Sequence, residues 1–151
     1  MNTDWNIAQL NVTTALYGPD DERMHGFYSQ LDAINALAEQ SPGFVWRLKS
    51  ESGNATDIQA TDNPLLIVNM SVWDSIDALF DFAYRSDHRH VFANRRHWFE
   101  KPDGAYQVLW WVRAGHEPDI AEAFARLEAL RASGPTAAAF NFKSRFDPPD
   151  A

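Results

Sequence analysis

The sequence predicts an α+β protomer of ferredoxin-like β-α-β-β-α-β order, with one extra helix towards the C-terminal end. Three observations predict it. Apolar and polar residues alternate in four segments, 5–12, 44–49, 65–73 and 106–113, as in strands whose two faces meet different surroundings. Between them, apolar residues recur at three- and four-residue spacing, which marks amphipathic helices. The length of 151 residues suits one core, burying roughly 70% of the unfolded surface. A single domain over 1–151 is therefore expected, with its core at about 4–136 and a peripheral tail at 137–151.

Taken in order, the first strand puts Ala8, Leu10 and Val12 on one face and Gln9 and Asn11 on the other. An Asp20-Asp21-Glu22 start then leads into Met24, Phe27, Leu31, Ile34 and Ala38, a helix of about five turns that Pro42-Gly43 ends. The second strand, Phe44 to Lys49, runs into a polar connection with Glu51-Ser52-Gly53-Asn54. In the third strand Leu66, Val68, Met70 and Val72 share one face, and Asn69, Ser71 and Trp73 the opposite one. Asp74 or Ser75 caps a helix with an Ile76, Leu79, Phe80 and Ala83 stripe, and Ser86 caps a further helix to about Phe99. A Lys101-Pro102-Asp103-Gly104 turn precedes the fourth strand. The last helix starts near Pro118, carries Ile120, Phe124, Leu127 and Leu130, and stops at Ser133-Gly134-Pro135.

Composition removes several classes of function. With 21 acidic against 13 basic side chains, the formal charge of −8 argues against a phosphate-backbone partner, so no nucleic acid is expected. The absence of cysteine removes disulfides, thiol nucleophiles and cysteine-based zinc sites. The first residues lack the basic and apolar regions of a signal peptide, and the longest apolar runs, 65–68 and 108–112, are far too short to span a membrane. A cytoplasmic protein without a membrane partner is the expectation. Dinucleotide, Walker, nucleophile-elbow and kinase signatures do not occur.

If the apolar strand faces lie under the helices, the second sheet face carries Gln9, Asn11, Arg47, Asn69, Ser71, Trp73, Trp111 and Arg113. Tryptophans beside amides, a hydroxyl and guanidinium groups suit a homodimer interface, and equally a small-molecule pocket between or beneath the sheets. A single β-bulge in the second strand would exchange Trp46 for Arg47 on that face.

Residues 85–97 hold four of the ten arginines and three of the five histidines, with one acid. As a helix this segment places His88, Phe92, Arg95 and Phe99 in one stripe and sends His90 and His97 elsewhere. An imidazole and a guanidinium on an aromatic stripe can bind an anion and move a proton, the alternative being local hydrogen bonding and ion pairing. Tyr84 offers a second polar tip in an apolar setting. No metal site is expected: His88 and His90 diverge on a helix, and His90 and His97 stand about 10 Å apart by helical rise. No cofactor is expected either, with a haem on a single axial histidine as the alternative left open.

The stretches SPGFVWRLKSESGNATDI (41–58), NMSVWDSIDALFDFAYRSDHRHVFANRRHWF (69–99) and VLWWVRAGHEPDIAEAFARLEALRASGPT (108–136) together resemble a bacterial family catalogued as domain of unknown function 3291. That family resembles the dimeric α/β-barrel superfamily, alongside antibiotic-biosynthesis monooxygenases. The resemblance implies a ferredoxin-like protomer that dimerises sheet to sheet. It carries no mechanism, because that superfamily holds cofactor-free oxygenases, haem proteins, cyclases and members without known activity.

The expected function is accordingly a small-molecule enzyme of the monooxygenase-like kind, without a tightly bound metal, acting on an aromatic or polyketide-like compound. Trp46, Trp73 and Trp111 would wall its pocket, Asn69 and Arg47 would orient an oxyanion with Arg95 as a further cation, and His88 or Tyr84 would exchange a proton. The alternatives are a non-catalytic haem or small-ligand binder and a dimeric structural protein without a pocket.

Overall fold

The computed structural model describes residues 4–18, 20–49, 61, 63–85, 95–101 and 104–149. Strand β1 (Trp5–Thr14) leads through a 3-10 turn (Glu22–Met24) into helix α1 (His25–Gln40). Strands β2 (Phe44–Arg47) and β3 (Leu66–Trp73), helix α2 (Ile76–Arg85) and the short α3 (Arg95–Trp98) follow. Strand β4 (Gln107–Arg113) and helix α4 (Ile120–Ser133) complete the order. The strands make one sheet in the order β2-β3-β1-β4, with every pairing antiparallel. This is the ferredoxin-like arrangement, an α+β chain with one helix appended.

Local chemistry sets the helix boundaries. Ser75 Oγ accepts the Ala78 N–H at 3.1 Å and so opens α2, and Asp119 Oδ1 accepts the Glu122 N–H at 2.8 Å and opens α4. The helix expected from Asp20 starts later. Asp21 instead caps the 3-10 turn by accepting the Arg23 N–H at 2.9 Å, and its hydrogen bonds from the Arg23 side chain lower its carboxyl to about 2. Of the helix expected from Ser86 to Phe99, Arg95–Trp98 is described and helical; His88 and His90 lie outside the described residues.

The pairing of helices with sheet faces reverses the expectation. Ala8, Leu10, Val12, Val68, Met70, Val72, Val108 and Trp110 pack against Ala123, Leu127 and Leu130, so the aliphatic face lies under α4. The mixed face lies under α1 and α2. There Ile7, Trp73 and Leu109 pack with Ala38 of α1 and Leu79 of α2, and Ile67 packs with Phe27 at the other end of the sheet. The reason is shape. The Ala and Leu stripe of α4 seats on a largely aliphatic strand face, whereas Phe82 of α2 seats on the Trp73 ring and Phe27 of α1 on Ile67. Trp73 stacks on Phe82 at 5.2 Å and meets Phe44 edge-on at 5.4 Å.

Strand β2 carries the bulge that decides its parity. Phe44 pairs with Trp73 and Trp46 with Val72, so Val45 is the extra residue, and it is exposed. Phe44 and Arg47 thereby face α1 and α2, while Trp46 joins the aliphatic side.

The C-terminal tail is not peripheral. Phe140 exchanges both backbone hydrogen bonds with Leu109, at 2.8 and 2.9 Å, which covers the free edge of β4. Its ring is fully buried. Phe142 packs edge-on against Phe80 and Tyr84, and Trp111 Nε1 donates to the Phe146 carbonyl at 2.9 Å.

Candidate functional site

Across the face beneath α1 and α2, strand register aligns side chains in rows. Phe44, Trp73, Ile7 and Trp111 form the first row. Arg47, Ser71, Gln9 and Leu109 form the second; Asn69, Asn11 and Gln107 form the third. Ile67 and Thr13 make the fourth. The first row lies in an apolar cluster with Phe82 and Leu79, and Ile67 lies in another with Phe27, Trp98 and Phe99. The two middle rows are therefore a belt rich in polar groups between two aromatic clusters.

Gln9 and Ser71 are the buried polar residues among those described, 4% and 8% exposed. Burying an amide and a hydroxyl is costly unless they are hydrogen-bonded, and here they are. Gln9 Nε2 donates to Asn69 Oδ1 at 2.7 Å and to Ser71 Oγ at 2.9 Å. Trp73 Nε1 also donates to Ser71 Oγ, at 2.9 Å. Asn69 itself is exposed, so the network runs from a fully buried indole to an amide at the open side of the sheet.

Arg47 stands in the second row beside Ser71. Its side chain is 13% exposed and its Nη2 lies 3.6 Å from Glu39 Oε1 on α1. Its Nε is buried and has no hydrogen-bond partner among the described residues. An orphaned buried donor costs about 1–3 kcal/mol, a cost that functional sites tolerate more often than plain cores.

The remaining expected site residues are distributed unevenly. Trp73 is fully buried and acts on the belt through its N–H to Ser71. Trp111 sits half-buried at the end of the first row. Trp46 lies across the sheet from the belt, so the three expected tryptophans do not share one wall. Tyr84, at the end of α2, is 46% exposed beside Phe80 and Phe142; partial burial raises its phenol pKa, with a smaller contribution from Tyr106. Arg95 opens α3. The Arg113 guanidinium stacks 4.2 Å over the Trp5 ring. Among the described residues no three metal-ligating side chains gather, and no helix is long and apolar enough to cross a membrane.

Sequence parity places Gln9 and Ser71 on this face but does not single them out. The signal was available: both amides and the hydroxyl fall at the same parity of two strands that must pair. What the strands lack in sequence is the register that puts Gln9 opposite Ser71.

A ferredoxin-like domain with a hydrogen-bonded polar belt on the sheet face beneath α1 and α2, open at Asn69, is the class that fold and site define. The chain belongs to the family described as domain of unknown function (DUF3291), whose model matches residues 6–151. No curated protein sequence matches it. Among solved structures it is similar to a mutant of SnoaB, a cofactor-independent oxygenase from Streptomyces nogalater: 17% identity, TM-score 0.47, covering 74% of this chain and 95% of that one. It is similar also to PA3566 from Pseudomonas aeruginosa, at 11% identity and TM-score 0.47, covering 78% and 100% of the two chains. Rv0793 from Mycobacterium tuberculosis gives 15% identity and TM-score 0.46, with 76% and 99% covered. At these values the activities of those proteins do not transfer to this chain.

Proposed function

We propose that the protein is a small-molecule enzyme of the monooxygenase-like kind, working without a bound cofactor on an aromatic or polyketide-like compound. The observation that carries this reading is the polar belt between two aromatic clusters, with an orphaned guanidinium N–H and an exposed amide on it. Rings supply buried area for a flat substrate and the placed polar groups fix its orientation. Asn69 and Arg47 supply donors for an oxygen that becomes negative when a proton leaves the adjacent carbon. Tyr84 serves as the neutral proton donor, with His88 as the base and Arg95 as a further cation.

The test is oxygen uptake and product mass with a panel of enolisable polycyclic aromatic ketones. The wild type is expected to consume one O2 per turnover and give a product that has gained one oxygen and lost two hydrogens, the substrate's CH2 becoming C=O while the second oxygen atom leaves as water. Asn69→Ala is expected to lower kcat about 100-fold or more, as removal of an oxyanion donor does. His88→Ala should abolish turnover without unfolding the protein. A wild type that consumes no oxygen with any of these ketones sinks the monooxygenase reading.

We also propose a homodimer, formed through the rim of the aliphatic side that α4 leaves partly uncovered rather than through the mixed face under α1 and α2. Trp46, Leu48, Leu66, Tyr106, Ile120 and Phe124 remain partly exposed around that aliphatic cluster. Such a rim suits an interface. Sedimentation equilibrium should return twice the 17.1 kDa chain mass, and Trp46→Glu should return the single mass. A wild type that stays monomeric at high micromolar concentration overturns the dimer.

A further inference from the structure

We propose that Gln9 is a positioning residue that sets the polarity of this site: it turns Asn69 so that the belt offers donors, selecting a ligand that presents an acceptor-only oxygen, such as a carboxylate, phenolate or enolate. The inference deepens the enzymatic reading above and rests on it for the location of the ligand.

The argument is a count of donors and acceptors. The Gln9 amide nitrogen has two hydrogens, and the structure gives both a destination, Asn69 Oδ1 at 2.7 Å and Ser71 Oγ at 2.9 Å. A fixed group decides which end of the amide sits there. The backbone carbonyl oxygen of Asn69 lies 3.5 Å from Gln9 Nε2; turning the amide over would set its oxygen against that carbonyl oxygen, while the nitrogen is attracted to it. With its Oδ1 occupied by Gln9, Asn69 is left to present Nδ2, whose two hydrogens have no partner among the described residues.

Ser71 follows the same logic. Its oxygen accepts from Gln9 Nε2 and from Trp73 Nε1, both at 2.9 Å, so both lone pairs are filled and the hydroxyl hydrogen must point away from them. Arg47, paired with Ser71 across β2 and β3, adds the orphaned Nε–H. Asn69, Ser71 and Arg47 thus contribute donors on one side of the sheet, and the carbonyl end of Gln9 is turned from Asn69 and Ser71 by its own covalent geometry. Trp73 and Gln9 never need to touch the ligand to impose this. They consume the acceptors of Asn69 and Ser71, which leaves the hydrogens of those two side chains for a ligand.

Two measurements on the full chain test the proposal. In side-chain amide hydrogen exchange by NMR, the Gln9 Nε2 hydrogens should be protected and the Asn69 Nδ2 hydrogens should exchange with solvent. In Gln9→Glu the new carboxylate accepts only, so Asn69 should turn over and its Nδ2 hydrogens become protected, a change that added charge alone would not cause. Fluorescence titration then uses two probes with the same ring, 2-naphthoate and 2-naphthylmethylammonium. The wild type should prefer naphthoate about tenfold or more. Gln9→Glu should erase or invert the preference, and Gln9→Met, which adds no charge, should lower it at least about threefold. An unchanged preference in both folded variants, or a wild type whose Asn69 amide is the protected one, overturns the role of Gln9. If neither probe binds the wild type but the exchange pattern appears as described, the polarity stands and the ligand-site reading above is what fails.

Discussion

Replacing Trp73 by alanine is expected to destabilise the protein by about 3–5 kcal/mol, the range for emptying a buried indole site. Trp73 is fully buried. Its ring is held between Phe82, stacked at 25°, and Phe44, edge-on at 88°, and these three rings join α2, β2 and β3. Removal of the ring would leave a cavity whose walls come from three separately anchored elements, so collapse can recover little of the lost contact. The indole N–H adds a second loss, because Ser71 Oγ would then keep one donor instead of two. Trp73→Phe separates the two contributions: it retains an aromatic ring, removes the N–H, and should cost about 1–2 kcal/mol. Urea unfolding with an unchanged m value gives both numbers. A Trp73→Ala protein within 1 kcal/mol of wild type would show that the three-ring stack does not hold the helix-covered face together.

The same residue shows how far the sequence could be read. Period-two alternation around Trp73, Ser71 and Asn69 correctly separates their face from that of Met70 and Val72, because a strand cannot place neighbours on one side. The three long strands and the main helices were legible for that reason. Which helices cover which face was not. Both faces carry enough apolar residues to be buried, and the choice depends on matching Phe82 to Trp73 and Phe27 to Ile67, which is a tertiary property. In β2 the alternation Phe44, Trp46 reads as one face, but the bulge at Val45 sends them to opposite sides. The tail differs from the expectation because Pro and Asp after Phe140 signal a loop, while one backbone pairing with Leu109 suffices to tie it down. For the site, residue types and parity place Asn69, Arg47, Gln9 and Ser71 together; the direction of each hydrogen bond needed the register.

Gly43→Ala is expected to cost about 2–5 kcal/mol, the sum of a backbone and a packing contribution. The chain leaves α1 at Gln40 and must reverse into β2 within three residues. It does so with Gly43 at φ +86, a conformation that costs an L-residue roughly 1–2 kcal/mol. The turn is also pressed against the start of α2. The Gly43 carbonyl accepts the Asp74 N–H at 2.8 Å, and a Cβ on Gly43 would lie 2.5 Å from both Ala78 Cβ and Asp74 Oδ1. Asp74 Oδ1 can swing away, but Ala78 Cβ is fixed to the helix, so α2 itself must yield, and overpacking of this kind costs about 1–3 kcal/mol. Gly115→Ala is the matched control: its φ is +93, and a Cβ there would meet nothing within 4 Å. It should therefore lose only the backbone part, about 1–2 kcal/mol. Urea unfolding of the two variants side by side isolates the overlap as their difference. Equal losses would mean that α2 does not rest on this turn. A larger loss at Gly43 should come with a changed near-ultraviolet signal, because displacing the first turn of α2 moves Phe82 off Trp73 and loosens the apolar row that closes one side of the polar belt.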